Sequence, residues 1–403
     1  MGGWDAYLIK TDLNGNIVWS KNYGGFDNDW FSSIQLTHDG GYIACGTTFT
    51  FGSGIGDVYL LKLDPAGNIQ WTKTFGGSGW ERGNFVQQTF DNGFIITGYS
   101  TSFTAASGRI YLLKTDSLGN VSWSKIFGGV MGEEGFCAKQ CSDSGYIVTG
   151  YTNSFGTGLQ EVFLIKTNDN GNLSWMKTYG NISIDLGYYV DQTPDNGFII
   201  AARTYSFGQA DYLIKTNAYG DTLWSKAYPG QAGLGHFVLP TNDGGYILAS
   251  SSNVLKLIKT DSMGNSGCNE LIPNTIVTIA SPVILSGAIT NSGGATVSSA
   301  TITRYTSIII DTLCLTTGVN NYIDNKELNI YPNPATNQLH VKLTKPITKN
   351  TTLTITDMQG RLVQEYPHSL EEGPGGEVIN ISTLSQGIYL LKLNGQVQRF
   401  VKM

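Results

Sequence analysis

The sequence predicts an all-β chain: a β-propeller built from four-stranded blades of ~50 residues, followed by a small C-terminal β-sandwich. Three columns of residues in step predict the first part. Trp19, Trp71, Trp123, Trp175 and Trp224 stand 52, 52, 52 and 49 residues apart. Asp39, Asp91, Asp143, Asp195 and Asp243, in DGGY, DNGF, DSGY, DNGF and DGGY, follow at 52, 52, 52 and 48. A third column is the turn DLNGN, DPAGN, DSLGN, NDNGN, NAYGD and DSMGN, starting at Asp12, Asp64, Asp116, Asn168, Asn217 and Asp261. No 3.6-residue period runs beside these columns, which excludes a helical solenoid.

Each element of a unit has its own cause. The second unit reads as β-rich runs at Phe85 to Thr89, Gly93 to Tyr99, Ile110 to Thr115 and Val121 to Phe127. The Asp of D-G/N/S-G-Y/F caps the turn into the second run. The D-x-x-G-N turn joins the third run to the fourth as a hairpin, with Gly at positive φ and Asp or Asn capping its amides. Tryptophan then lies on the outermost strand, where an indole covers the sheet edge and packs on the next blade. With the repeats ending by residue 270, the array is expected to need no strand beyond that point.

Composition narrows the function. Charged residues are 14% of the chain, the net charge is −6, and Lys and Arg form no run, which argues against a nucleic-acid partner. No stretch of 18 apolar residues is present, so no transmembrane segment is expected. The start, MGGWDAYLIK, shows no secretory signal and falls just before a third blade strand. About five blades are therefore expected within residues 1–270, from a longer, N-terminally truncated parent.

The pattern DAYLIKTDxxGNxxWSKxYGG…DGGYIxxGxT resembles the β-propeller repeat of bacterial exported and surface proteins. That resemblance implies a fold and an exported location, with no common ligand or activity. The D-x-x-G-N-x-x-W element is also similar to the tryptophan docking motif of quinoprotein propellers, but the calcium ligands and aromatic sandwich that a quinone needs do not assemble from the inner strands. One acidic column stands out: Asp29, Glu81, Glu133 and Asp185, spaced by 52, follow the Gly-Gly turn between units. These carboxylates either ring one channel mouth, where they would hold Ca²⁺ or a cationic ligand, or accept backbone N–H groups of their own loops. No Gly-x-Ser-x-Gly, HExxH or P-loop is present, so no catalytic constellation is expected. A carbohydrate-active enzyme using the acidic column is the alternative to a scaffold that binds a glycan or protein.

After the repeats, residues 271–321 are rich in Thr, Ser, Ile and Val, and composition leaves open an extended linker or extra strands. Cys268 and Cys314 bracket this segment and could close a loop by a disulfide if the protein is exported. Cys137 and Cys141 lie about 13 Å apart if extended, too far for a bridge.

From residue 322 to 403 the pattern changes to seven short alternating strands, a separate module. It carries Tyr331-Pro332-Asn333-Pro334, Asp357-Met358-Gln359-Gly360-Arg361, Leu384-Ser385-Gln386-Gly387-Ile388-Tyr389 and a terminal Lys402. These residues resemble the type A C-terminal sorting domain of cargo of the type IX secretion system. The resemblance implies passage through the outer membrane, the type IX machinery as partner, and a secreted or cell-surface protein. In the residues themselves, Pro332 and Pro334 end the first strand, and Gly360 and Gly387 are expected to supply turns that a side chain would strain.

Overall fold

In a computed structural model, residues 3–103, 107–230, 234–251, 255–267, 270–285, 289–291, 296–298, 328–343, 352–357, 361–367, 377–393 and 396–403 are described. The chain divides into two compact units, Met1–Cys314 and Leu315–Met403. No helix among the described residues is long and apolar enough to cross a membrane.

The repeat strands appear in the predicted order. A hairpin joins β1 (Ala6–Thr11) to β2 (Ile17–Gly24). Four-stranded antiparallel meanders follow: β3 (Asp29–Leu36), β4 (Tyr42–Thr48), β5 (Asp57–Leu63) and β6 (Ile69–Gly76); then β7 (Glu81–Gln88), β8 (Phe94–Ser100), β9 (Arg109–Thr115) and β10 (Val121–Gly128). The third holds β11 (Glu133–Gln140), β12 (Tyr146–Thr152), β13 (Glu161–Thr167) and β14 (Leu173–Gly180), and the fourth β15 (Asp185–Gln192), β16 (Phe198–Thr204), β17 (Ala210–Thr216) and β18 (Thr222–Pro229). A three-stranded sheet ends the series, with β19 (Leu234–Pro240), β20 (Tyr246–Ser251) and β21 (Leu255–Thr260). The first strand of each sheet packs on the first two strands of the sheet before it, as β7 does on β3 and β4. Third strands of the interior sheets are therefore covered on both faces, and all seven residues of β5 and of β13 are buried. This explains why they read as continuous apolar runs without alternation.

The tryptophan column locks each sheet to the next. Trp19 meets Tyr42 edge to face at 5.8 Å, and Trp71, Trp123, Trp175 and Trp224 meet Phe94, Tyr146, Phe198 and Tyr246 in the same way. Each of these partners is the aromatic residue of the following D-G-G-Y turn. The same indoles lie on the glycine of the following D-x-x-G-N turn, Trp19 on Gly67 and Trp71 on Gly119. Gly67 has φ +74°, and a Cβ there would stand only 3.0 Å from the indole. Tyr23 and Lys21 complete the grip, donating to the carbonyls of Gly67 and Ala66. The repeated W-S-K-x-Y string is thus a clasp on the neighbouring unit, each aromatic pair contributing about 0.5–1.5 kcal/mol beyond area burial.

The aspartate column closes the other turn. Asp39 accepts from the Thr37 hydroxyl and the Gly41 N–H, and Lys62 from β5 pairs with it at 2.8 Å. Lys114–Asp91, Lys166–Asp143, Lys215–Asp195 and Lys259–Asp243 repeat the pair. The bond from Lys62, with that from Thr37, holds the Asp39 carboxyl down at about 2. Its contribution to stability is present above the ordinary carboxylate range and is lost as pH falls toward that value. The residue after each capping aspartate sits at positive φ: Gly40, Asn92, Ser144, Asn196 and Gly244. Serine is the least suited of these. Ser144→Gly is expected to stabilise the protein by about 1 kcal/mol, read as a higher midpoint in urea with an unchanged slope.

The segment after residue 270 overturns the expectation that the array needs no later strand. Leu271 forms a bridge with Ala227 of β18. Next, β22 (Ile276–Ile279) pairs with β14, β23 (Val283–Leu285) with β10, β24 (Ile289–Asn291) with β6, and β25 (Thr296–Ser298) with β2. The chain thus returns along the outer edges of the repeat sheets in reverse order, adding an antiparallel fifth strand to three of them. Main-chain N–H and C=O groups of outer strands, which would otherwise face water, are paired in this way. Backbone pairing sets few demands on side-chain type, which is why composition alone left this segment open.

The second unit holds seven described strands in two antiparallel sheets. β26 (Leu328–Tyr331), β27 (Gln338–Leu343) and β30 (Glu377–Asn380) form one. The other has β28 (Thr352–Asp357), β29 (Leu362–Pro367), β31 (Gly387–Leu393) and β32 (Gln396–Lys402). Leu339, Val341 and Ile379 from the first sheet share one core with Leu353, Ile355, Leu391 and Phe400 from the second.

Candidate functional site

Three groups of residues are candidates. In the second unit, the Tyr331-Pro332-Asn333-Pro334 segment leaves β26 and is pinned to the last strand of the chain. Asn333 donates through Nδ2 to the Arg399 carbonyl at 2.9 Å and accepts the Val401 N–H at 2.9 Å, so one side chain imitates a strand partner. Ala335 continues the pairing, donating to Val401 and accepting from Met403. Tyr331 stacks on His340 with ring centroids 5.0 Å apart. Lys402 is buried and bonds to the Met403 carbonyl. Asp357 accepts from the Arg361 N–H and Nε, while Tyr389 donates to the Ser385 carbonyl and stacks on Phe400. Gly360 lies outside the described residues. The expectation for Gly387 is corrected: it opens strand β31 without a positive φ, and a Cβ there would meet nothing nearer than Tyr389 at 3.6 Å. A side chain would not strain this backbone.

The acidic column starts the first strand of four sheets. Asp29, Glu81, Glu133 and Asp185 are each at most 1% exposed. Each accepts the backbone N–H four residues earlier, from Gly25, Gly77, Gly129 and Asn181, together with hydroxyls such as Thr50, Ser100, Thr152 and Ser206. Burial pushes the Glu133 and Asp185 carboxyls up, with these donors opposing it. The four do not meet one another. Among the described residues no three His, Cys, Asp or Glu side chains lie together as a metal centre.

A third group escaped the sequence reading. On the first strands of neighbouring sheets, Arg82 of β7 pairs with Glu134 of β11 at 3.3 Å, and Asn84 donates to the same carboxylate at 2.8 Å. Beside them Phe136 stacks on Tyr188 at 5.2 Å and packs on Tyr151, while Arg82 lies over Trp80. Burial and the Glu134 charge push the Tyr151 hydroxyl up to about 12. These side chains are partly exposed, except Glu134, which is buried. No periodic signal marked it: the column Ser32, Asn84, Phe136 and Tyr188 is spaced by 52 but repeats no single residue, and neither does the column beside it, Ser33, Phe85, Cys137 and Tyr189.

Cys45, Cys137 and Cys141 are buried free thiols, whereas Cys268 and Cys314, the candidate disulfide, lie outside the described residues. Residues 329–403 match the family described as Secretion system C-terminal sorting domain. The chain therefore carries the C-terminal sorting domain of Por, or type IX, secretion, an address for export. No curated protein matches the chain.

Proposed function

We propose that this is a secreted or cell-surface binding protein, delivered by the type IX machinery, whose repeat unit is a non-enzymatic β-propeller presenting its first-strand cluster to a glycan or protein ligand. The observation that carries the reading is the sorting domain at residues 329–403 behind an array of repeated antiparallel sheets. Closure into a propeller is supported by the ends of the array. Ile9 and Ile34 at one end, and Leu257 at the other, are exposed, while the corresponding Leu61, Val86 and Leu213 of interior units are buried. A ring covers such faces.

Binding is favoured over hydrolysis by the state of the acidic column, whose carboxylates are buried and bonded to their own loops, out of reach of a polymer. Aromatic rings beside an Arg–Glu pair suit recognition, since stacked rings supply rigid contact area at small entropic cost. The test is a screen of the purified protein on polysaccharides and surface proteins. Retention on one ligand is expected, with at least about tenfold weaker binding by Tyr188→Ala. Turnover of a polysaccharide, or retention indifferent to Tyr188→Ala and Phe136→Ala, overturns the reading.

A further inference from the structure

The junctions between sheets contain a second acidic column that pairs with the first. Asp5, Asp57 and Glu161 stand just before or at the start of third strands, and each faces the carboxylate 24 residues later: Asp29, Glu81 and Asp185. The two side chains of a junction converge over the first residue of the Gly-Gly turn or its counterpart. Over Gly76, the point a Cβ would occupy lies 2.0 Å from Asp57 Oδ1 and 2.4 Å from Glu81 Oε2. Over Gly24 the distances are 2.2 Å to Asp5 Oδ1 and 2.9 Å to Asp29 Oδ2, and over Gly180 they are 3.1 Å to Glu161 Oε2 and 2.5 Å to Asp185 Oδ2. Only glycine leaves this space open.

In each junction the oxygen contributed by the third-strand column, Asp5 Oδ1, Asp57 Oδ1 or Glu161 Oε2, is buried and has no hydrogen-bond partner. Asp57 and Glu161 are each 1% exposed. The opposing oxygen accepts the backbone N–H of Gly25, Gly77 or Asn181. Glu161 Oε1 likewise accepts N–H groups of Thr157 and Gly158. Two carboxylates held this way repel each other strongly out of water.

The remaining junction shows what relieves that repulsion. At the position of Asp57 and Glu161 the second four-stranded unit has Arg109, whose stem lies over Gly128 beside Glu133 and whose charge favours the Glu133 carboxylate. A fixed cation thus stands where the other three junctions have an acid.

We propose that the junctions Asp5/Asp29, Asp57/Glu81 and Glu161/Asp185 each bind a hard divalent cation of the Ca²⁺ class between sheets, in place of the arginine of the fourth. Carboxylate oxygens are the ligands such ions take, at about 2.3–2.6 Å, with water completing the shell. The ion ties the end of one sheet to the start of the next and so stiffens the array outside the cell.

The test compares the full chain at pH 7 in EDTA and in millimolar CaCl₂. A rise in melting temperature of about 4 °C or more is expected with calcium, together with Tb³⁺ luminescence, excited through the aromatic side chains, that Ca²⁺ quenches. Asp57→Asn combined with Glu161→Gln should fold, keep a smaller rise and lose most of the luminescence. Should that variant fail to fold, equilibrium dialysis of the unaltered chain against Ca²⁺ decides, with up to three ions per chain expected from the three pairs. An unchanged midpoint and no bound ion overturn the proposal. So does a midpoint insensitive to calcium that climbs as pH falls from 7 to 5, because the pairs then share protons.

Discussion

Truncation after residue 270 yields a protein that aggregates and melts about 10 °C or more below the same protein truncated after residue 314. Residues 276–298 supply strands β22 to β25, which pair with the outer strands of four repeat sheets. Removing them leaves backbone donors and acceptors of β2, β6, β10 and β14 at open edges, where they template pairing between molecules. Each bond lost is worth about 1 kcal/mol, and the loss is spread over several sheets against a total stability of about 5–15 kcal/mol. Proline in the full chain at Val277 or Ile284, each within a short pairing, should reproduce part of the deficit without aggregation. Differential scanning calorimetry with light scattering on the two truncations is the measurement. Equal midpoints would show that the returning segment rests on the sheets without supporting them.

Removal of residues 315–403 abolishes export and leaves the repeat unit folded in the periplasm. The sorting domain matches residues 329–403, its core draws on its own strands, and the division between compact units falls after Cys314. Fused to a passenger carrying a Sec signal, residues 315–403 should in turn deliver that passenger to the surface or medium of a host with the type IX machinery, and not of one lacking it. Cell fractionation with protease protection reads both results. A protein without the domain that still reached the surface would refute the address, and an unfolded repeat unit would refute its independence.

The sequence alone determined what is periodic. Trp19 with its counterparts, the capping Asp39 column and the positive-φ glycines of the D-x-x-G-N turns announce strand order and hairpins, because their causes lie within a few residues of chain or recur at a fixed step. The sorting domain was equally legible, since Tyr331 to Pro334, Asp357 and Tyr389 form a local vocabulary at fixed places, although Gly387 proved to open a strand where a turn was expected.

Only the tertiary structure decided which columns meet. The 24-residue step from Asp57 to Glu81 is present in the sequence, but nothing local brings the two carboxylates over Gly76. The same holds for Arg82 and Glu134, which touch across two sheets, and for β22 to β25, whose partners lie about 100 to 275 residues away along the chain. Side-chain spacing encodes a strand's own faces, whereas a ladder between backbones or a charge pair between sheets depends on register and on the stacking of separate elements. Those arise only when the whole array has packed.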